Sequence, residues 1–467
     1  MFTVKKYDYS NLPYKTVMAL FWFALFGAVS FYVNIEYFGL KTNFSAHNTS
    51  SSIGALKNTG SLDSTVFESD ADLFNHMKYI VNPRQPLEYS DGSAMVHFVE
   101  DLQKLNIGTL SHPLRILHYG DSILTTDELS GRVRGILQNR FGDGGHGFVL
   151  LLRPWSWYHH IGVEQGGVTD KWKIHPFTSS PLPDGFYGLG GVAFIANRKG
   201  SAKAWVSTAD EGLQGREVSS FDISYLQHST GGTFDVLIDD QFREKVDTRG
   251  DEKKIMHRKV DVELGKSKLM IKTNSDGIVR LFGVILENGQ SGVVYDSLSV
   301  NGASGTNLAR MDGGMWQKEI TYREPSLVII MMGANEGANK SLNLQEYKRD
   351  FSAVLDTVTS SSKTASCLVV GPLDQAKIAE AGGLESKKMP VKLSVAQKEV
   401  AFAHGCAFFD TFSAMGGTGS MAKWCVSGLG GGDFIHPTQA GARKIGNWLA
   451  EALIYEYQRY GNKKVKR

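Results

Sequence analysis

The sequence predicts an α/β fold: a parallel sheet flanked by helices, with an inserted all-β domain of jelly-roll or sandwich type and an N-terminal transmembrane helix. Three observations support this prediction. Patterns of buried strands and helices alternate in two separate parts of the chain. Short runs of alternating polarity, typical of a β-sandwich, lie between those parts. An uncharged apolar stretch lies near the start.

The composition is that of a folded protein. Of 467 residues, 42% are hydrophobic and 21% are charged, which is near the average for soluble domains. These values exclude a largely disordered chain, a coiled coil and a multi-span membrane protein. The net charge is +2, so charge gives no argument for nucleic acid as a partner, and none is expected.

The apolar stretch near the start predicts a membrane anchor over residues 17–36. Its residues 17–35 carry no charge and are about long enough to cross a bilayer. Lysines precede the stretch, so the positive-inside rule places residues 1–16 in the cytoplasm. The chain would then be a single-pass protein of the inner membrane, with its folded part on the periplasmic or extracytoplasmic side. A cleaved signal peptide and a buried core helix are the alternatives.

Composition also predicts the domain boundaries. Residues 37–70 are rich in small polar residues and are predicted to form a flexible tether. An insertion is tolerated where the ends of a loop lie close together. We therefore predict a first α/β part, an inserted β-sandwich, a second α/β part and a basic tail, at residues 71–150, 151–292, 293–460 and 461–467.

Apolar periodicity predicts the individual elements. In the α/β parts, strands are predicted over 114–119, 327–332, 366–370 and 407–409, and helices over 95–105, 129–137, 347–358, 391–404 and 438–460. In the inserted part, strands are predicted over 221–225, 233–238, 260–264 and 278–286. Next to that part, residues 153–160 are dense in aromatic side chains, which predicts either packing between domains or a platform for sugar stacking.

The three cysteines do not form a disulfide scaffold. Cys406 and Cys425 are close enough in sequence to pair around a short loop, which would leave Cys367 buried in an apolar strand. No cysteine or histidine spacing matches that of metal ligands, so no metal is expected.

Four short motifs lie in predicted loops. Gly-Asp-Ser at 120–122, Asn-Gly-Ala at 301–303 and Gly-Ala-Asn-Glu at 333–336 each follow a predicted strand. An Asp-x-x-His pair, Asp433 and His436, precedes the last helix. Because open parallel sheets bind ligands at the carboxyl ends of their strands, we expect these motifs to meet at one edge.

In these motifs the sequence resembles the SGNH, or GDSL-type, hydrolase family. The serine, glycine, asparagine and histidine of the family's blocks match Ser122, Gly302, Asn335 and His436, and Asp433 lies three residues before the histidine. The resemblance implies an SGNH-type parallel sheet and a serine hydrolase that needs no cofactor.

Within this family, the chain is most similar to bacterial peptidoglycan O-acetylesterases. The run from Gly120 to Gly147 and the inserted β-domain, which is similar to a carbohydrate-binding module, carry the likeness. One departure lies in the third block, where Glu336 replaces the usual aspartate.

The chemistry of ester cleavage explains why these residue types are needed. A serine hydroxyl is a poor nucleophile until a base takes its proton, which His436 can do for Ser122 at neutral pH. Asp433 would accept the other ring N–H of the histidine. The predicted oxyanion donors are the backbone N–H groups of Ser122 and Gly302 and the side-chain amide of Asn335.

Two neighbours of the nucleophile are expected to be structural. Asp121 is expected to hydrogen-bond the backbone of the loop and hold the turn. His118 is expected to be a satisfied core histidine.

The resemblance implies a membrane-anchored esterase that removes O-acetyl groups from an extracytoplasmic polysaccharide, with peptidoglycan as the expected substrate. A polysaccharide O-acetyltransferase with the same triad is one alternative. A glycan-binding envelope protein without catalysis is the other.

Overall fold

The computed structural model describes residues 69–78, 80–197, 200–212, 214–380 and 382–465. The predicted cytoplasmic segment, the anchor at 17–36 and nearly all of the tether lie outside these residues. None of the helices in the described ranges combines the length and the hydropathy that a membrane span requires.

The described chain contains eighteen strands and ten α-helices. The strands are β1 Leu114–Gly120, β2 Gly147–Val149, β3 Val163–Gly167, β4 Trp172–Pro176, β5 Val192–Ala196, β6 Lys203–Thr208, β7 Val218–Gln227, β8 Thr233–Ile238, β9 Gln241–Asp247, β10 Lys254–Gly265, β11 Lys268–Thr273, β12 Val279–Glu287, β13 Val293–Ser299, β14 Leu327–Met331, β15 Ser366–Val370, β16 Ala376–Ile378, β17 Leu384–Ser386 and β18 Ala407–Phe409. The helices are α1 Asp70–Lys78, α2 Val96–Asn106, α3 Glu128–Phe141, α4 Gly313–Arg323, α5 Ala334–Ala338, α6 Leu344–Ser361, α7 Met389–Ala403, α8 Thr411–Met415, α9 Ser420–Val426 and α10 Gln439–Val465. Helix α10 extends into the segment predicted as a basic tail.

A five-stranded parallel sheet forms the centre of the α/β part. Its strand order is β13-β1-β14-β15-β18, which confirms the predicted parallel sheet. Strand β1 lies between β13 and β14, and Gly120 is paired with Ser299 on one side and Met331 on the other. The three loops that follow these strands therefore begin side by side.

The alternation of side chains along each strand explains why both faces are covered. On β14, Leu327, Ile329 and Met331 pack into one apolar cluster with residues of α1, α2, α3 and α10. Val328 and Ile330 point to the opposite face and pack with residues of α4, α6 and α7. Successive side chains of a strand point to opposite faces, so a continuously apolar strand requires helices on both.

Two antiparallel sheets lie between the two halves of the α/β part. Their strand orders are β10-β7-β12-β5-β4, with β2 added at β12, and β3-β6-β11-β8-β9. Their inward-facing side chains belong to the same apolar cluster as one face of the parallel sheet. The predicted all-β insertion is thus present as antiparallel sheets, while the exact domain boundaries stay predictions.

The predicted Cys406–Cys425 pair is wrong. The disulfide joins Cys367 to Cys406, whose Cα atoms are 4.6 Å apart, and Cys425 is free. The parallel pairing of β15 with β18 explains this, because Leu368 is opposite Ala407 and the two preceding residues are therefore neighbours. Cys425 lies on α9, where its thiol donates to the carbonyl of Gly431.

A buried ion pair joins the parallel sheet to the inserted strands. The Arg323 guanidinium donates to Asp296 with an Nε–Oδ2 distance of 2.8 Å, and the two side chains are 4% and 0% exposed. Asp296 also accepts the backbone N–H of Phe148 on β2, and Arg323 donates to Glu287 at the end of β12. Glu287 also pairs with Arg115 at 2.8 Å, so two guanidinium groups balance two carboxylates where the two parts meet.

We predict that Arg323→Met lowers the free energy of unfolding by about 3–5 kcal/mol, because it leaves the Asp296 carboxylate buried without its partner. Urea unfolding followed by circular dichroism measures this. The matched control is Arg349→Met, which removes an exposed ion pair with Asp350 and should cost less than about 1 kcal/mol. An equal loss in both variants would contradict the prediction.

Candidate active site

The nucleophile candidate lies in the turn directly after β1. Ser122 begins a single turn of 3₁₀ helix that ends at Leu124. Its carbonyl accepts both the hydroxyl and the backbone N–H of Thr125, so the turn is fixed at both ends. The preceding Gly120 is packed against Leu124, whose Cδ1 would lie 2.3 Å from any added Cβ. A side chain at position 120 would therefore displace this turn.

The structure brings Ser122, His436 and Asp433 into one hydrogen-bonded chain. The Ser122 Oγ lies 2.7 Å from His436 Nε2. The His436 Nδ1 lies 2.6 Å from Asp433 Oδ2. With Nδ1–H donating to the carboxylate, Nε2 is the acceptor for the serine hydroxyl. Serine and histidine are 314 positions apart in the sequence, and the fold alone brings them together.

The loop before α10 holds Asp433 in place through its own backbone. The other carboxylate oxygen, Oδ1, accepts the backbone N–H groups of Ile435 and His436. Burial raises the pKa of Asp433, but the hydrogen bonds from the His436 ring and from these backbone groups outweigh it and hold the pKa below its usual value. Asp433 is therefore a carboxylate at neutral pH.

The three predicted oxyanion donors belong to neighbouring loops. Gly302 has φ +78°, a left-handed conformation that glycine adopts without strain, and its carbonyl accepts the amide of Asn307. Asn335 lies in α5, and its Nδ2 donates one hydrogen to the carbonyl of Ala303, which leaves a second. Within the described residues, the backbone N–H groups of Ser122 and Gly302 have no protein acceptor.

Asp121 holds its own turn, as the sequence predicts, and also connects it to a second loop, which the sequence analysis did not predict. Its Oδ1 accepts the backbone N–H of Ile123, and its Oδ2 accepts those of Gly333 and Ala334 at 3.1 and 2.9 Å. Burial raises its pKa, although these hydrogen bonds oppose the shift. The carboxylate thus fixes the Ser122 turn against the start of α5.

His118 is a core histidine, but only one of its two ring nitrogens has a hydrogen-bond partner. Its Nδ1 is 2.7 Å from the hydroxyl of Tyr295, whereas its Nε2 is buried without a partner. Burial lowers the pKa of His118 to about 3, so the ring is neutral and cannot act as a second base.

Glu336, the departure from the family's third block, is buried behind the site. Its Oε1 accepts the backbone N–H of Gly305 at 2.6 Å, and its Oε2 has no partner. Burial raises the pKa of Glu336 to about 7, and the nearby Asp121 adds to this increase. The side chain thus links α5 to the loop that carries Gly302.

A cavity of about 350 Å³ opens over the Ser122 hydroxyl. Its lining includes Asp433, His436, Asn301 and the indole of Trp157. Trp157 is 51% exposed and belongs to the aromatic stretch at 153–160. Within that stretch, Tyr158 is buried in the core, while Trp157 lines the cavity, and a role in sugar stacking stays a prediction.

Sequence analysis missed a buried polar cluster close to this wall. Ligand atoms of Asp127, His146 and His160 lie within 4.8 Å of one another. They are already engaged, since Asp127 accepts two hydrogen bonds from the Arg134 guanidinium and the two imidazoles share a 3.0 Å contact. A cation would compete with Arg134 for the same carboxylate, so these residues do not fit a metal site.

Comparison with known proteins agrees with this geometry. Residues 273–444 match the model of the GDSL-like lipase/acylhydrolase family. The chain contains a GDSL-type hydrolase domain. The matched region holds the second, third and fourth motifs. Ser122 precedes this region in the sequence, and the fold brings the serine to His436. Among curated protein sequences, none is significantly similar to this chain.

One of the solved structures that match this chain shows the same fold. A peptidoglycan O-acetylesterase matches with a TM-score of 0.65 and 20% sequence identity, over 81% of this chain and 99% of its own. A family two carbohydrate esterase from Clostridium thermocellum, in complex with cellohexaose, matches over 62% of this chain and 97% of its own, with 10% identity and a TM-score of 0.24. A family two carbohydrate esterase from Cellvibrio japonicus has 10% identity and a TM-score of 0.25, over 64% and 99%.

We predict that Glu336 makes the stability of this GDSL-type domain fall as pH rises. The pKa of Glu336 is raised on folding. Its contribution to the free energy of unfolding is therefore fully present below the unfolded pKa of 4.5 and is lost as pH rises through about 7. Between pH 5 and 8, the free energy of unfolding of the wild type should fall by about 2–3 kcal/mol more than that of Glu336→Gln.

Urea unfolding at four pH values, with the exposed Glu346→Gln as control, measures this difference. Parallel pH profiles for the wild type and Glu336→Gln would contradict the prediction.

Proposed function

We propose that this protein is a membrane-anchored serine esterase that removes O-acetyl groups from an extracytoplasmic polysaccharide, with peptidoglycan as the first candidate. The hydrogen-bonded chain Ser122–His436–Asp433 is the observation that carries the proposal. Its distances are those of a nucleophile activated by a base that a carboxylate orients.

The reaction would proceed in two steps. Ser122 Oγ attacks the acetyl carbonyl while His436 Nε2 takes its proton, and the ring then gives that proton to the departing sugar oxygen. Water, deprotonated by the same nitrogen, hydrolyses the acetyl-serine. Asp433 stabilises the charged imidazole in both steps, because it holds Nδ1–H and stays ionised at neutral pH.

The negative oxygen of each tetrahedral intermediate needs donors that are free before the reaction begins. The backbone N–H groups of Ser122 and Gly302 and the second amide hydrogen of Asn335 meet this requirement. Asp121 and Glu336 keep the three loops in register. Donors fixed in this way stabilise the transition state without reorganising.

Two features support a carbohydrate as the group that carries the acetyl ester. The exposed Trp157 beside Ser122 offers an apolar ring face for stacking against a sugar. The peptidoglycan O-acetylesterase that shares the fold matches 81% of this chain, which is more than its α/β parts contain, so the match includes the inserted antiparallel sheets. These sheets are proposed to bind glycan next to the hydrolase domain.

The proposed compartment rests on the sequence of residues 17–36 and is supported by the Cys367–Cys406 disulfide. Disulfides persist in exported proteins and are rare in the reducing cytoplasm. The anchor would hold the enzyme at the inner membrane with its active site facing the cell wall polymer.

We predict that the full chain, purified in detergent, releases acetate from O-acetylated peptidoglycan and that Ser122→Ala lowers kcat at least about 10³-fold. Ser362→Ala, at the opposite edge of the sheet between α6 and β15, serves as control and should keep wild-type activity. If added glycan acceptor gains acetyl groups while acetate release falls, the protein is an acetyltransferase. No turnover of peptidoglycan or of an aryl acetate would contradict the proposal.

We predict that Asn335→Ala lowers kcat by about 10²–10³-fold, because one oxyanion donor is lost, with a smaller effect on KM. Steady-state kinetics with an aryl acetate measure both constants. The matched control is Asn343→Ala, which removes the N-cap of α6 and should lower stability but not kcat. An unchanged kcat in Asn335→Ala would remove this residue from the oxyanion site.

A further inference from the structure

A second cavity, of about 360 Å³, lies beside the Asn335 helix α5 and is strongly basic. Gly337 and Met389 are among its lining residues. Its charged lining consists of one carboxylate, Glu385, and five ammonium groups: Lys340, Lys377, Lys387, Lys388 and Lys392. The cavity wall therefore carries a net charge of +4, in a chain whose total net charge is only +2.

Most of these lysines have no ion-pair partner among the described residues. Lys377 forms an ion pair with Glu385 at 2.6 Å, and Lys387 donates to a neutral acceptor, the Gln375 side-chain oxygen, at 3.1 Å. In the described part of the chain, the other three lysines form no ion pair. Lysines held together without carboxylates repel one another, and an anion placed among them removes that repulsion.

The start of α7 adds to the positive potential. Lys388 is the N-cap of this 15-residue helix, no side chain caps its first turn, and Pro390 follows. Free backbone N–H groups and the helix dipole make such an end favourable for an anion. Cationic side chains are disfavoured at this end of a helix, so Lys388 and Lys392 are placed against local helix preference.

Hydrogen bonds connect this basic cavity directly to the active site. The Gln375 amide donates to the carbonyl of Ala334, next to Asn335, and the backbone N–H of Lys387 donates to Gln375. The backbone N–H of Ala376 donates to Phe434, next to Asp433. The cavity wall is thus packed against the segments that carry Asn335 and Asp433, and the charge of Asp433 acts on the Lys387 ammonium. A polymer with its acetyl ester at Ser122 would then place a neighbouring unit at the lysines.

We propose that this basic cavity is a subsite for a carboxylate of the polymer, so that the esterase selects O-acetylated acidic polysaccharides over neutral ones. The inference rests on the proposed function and adds the substrate class. The carboxylate can belong to a peptide attached to the glycan or to a uronic acid in the chain itself, and both would be held by the same lysines.

The test compares the full-length wild type with Lys388→Glu/Lys392→Glu. Both positions are exposed, and acidic residues suit the first turn of a helix, so α7 should form normally, which circular dichroism checks. We expect KM for O-acetylated peptidoglycan to rise roughly tenfold, with kcat and the turnover of a neutral aryl acetate unchanged. Added salt should raise KM of the wild type and have little effect on the variant.

The matched control is Lys318→Glu/Lys363→Glu, which makes the same change in net charge elsewhere. Lys318 lies on α4, and Lys363 precedes β15 at the opposite edge of the sheet. KM should stay at the wild-type value in this control. An equal rise in both double variants, or no rise in the cavity variant, would overturn the subsite.

Three polymers distinguish the source of the carboxylate. O-acetylated peptidoglycan carries it on peptides, acetylated polygalacturonate carries it on the sugar, and acetylated glucomannan is neutral. The cavity variant should lose turnover of one or both acidic polymers at low substrate concentration and keep turnover of the neutral one. Equal loss on all three would overturn the proposal.

A binding measurement tests the subsite even if the wild type has no esterase activity. If the wild type cleaves no ester, binding of the same polymers to Ser122→Ala is compared with binding after Lys388→Glu/Lys392→Glu is added. Tighter binding of the acidic polymers that disappears with the two lysines supports the subsite. Equal binding of acidic and neutral polymers overturns it.

Discussion

The site depends on one constraint, the position of β1 between β13 and β14 in a parallel sheet. Parallel strands end at the same edge, so the three following loops, which hold Ser122, Gly302 and Asn335, begin next to one another. No loop has to cross the molecule to reach the others. The fourth loop, with Asp433 and His436, reaches the same edge because α10 packs beside α3 on the face of this sheet.

Two buried carboxyl groups hold these neighbouring loops in a fixed geometry. Asp121 accepts backbone N–H groups of its own turn and of the start of α5, while Glu336 accepts one from the Gly302 loop. Each is removed from water, and burial raises the pKa of both groups. Burying such groups lowers the free energy of unfolding, as is common where a reactive site is held in one arrangement.

Much of this architecture could be predicted from the sequence, because apolar strands and helical spacing follow local rules. The edge of the sheet and the turn held by Asp121 follow from those rules, and the grouping of Ser122 with His436 follows from motif order and the family resemblance. The contact of Asp121 with the start of α5 does not follow from them. The Cys367–Cys406 pair could not be predicted, since it depends on which strands are neighbours. The environment of Glu336 and the lysines around the second cavity were missed for the same reason: their partners are set by tertiary packing.

The long sequence separation between Ser122 and His436 has a consequence for activity during synthesis and folding. Synthesis proceeds from the amino end, so the nucleophile exists well before its base has been made. The serine hydroxyl stays unreactive until α10 has docked and the last loop has closed over the sheet. Chains that stop early or fold incompletely are therefore inert, and hydrolytic activity reports that the whole domain has folded.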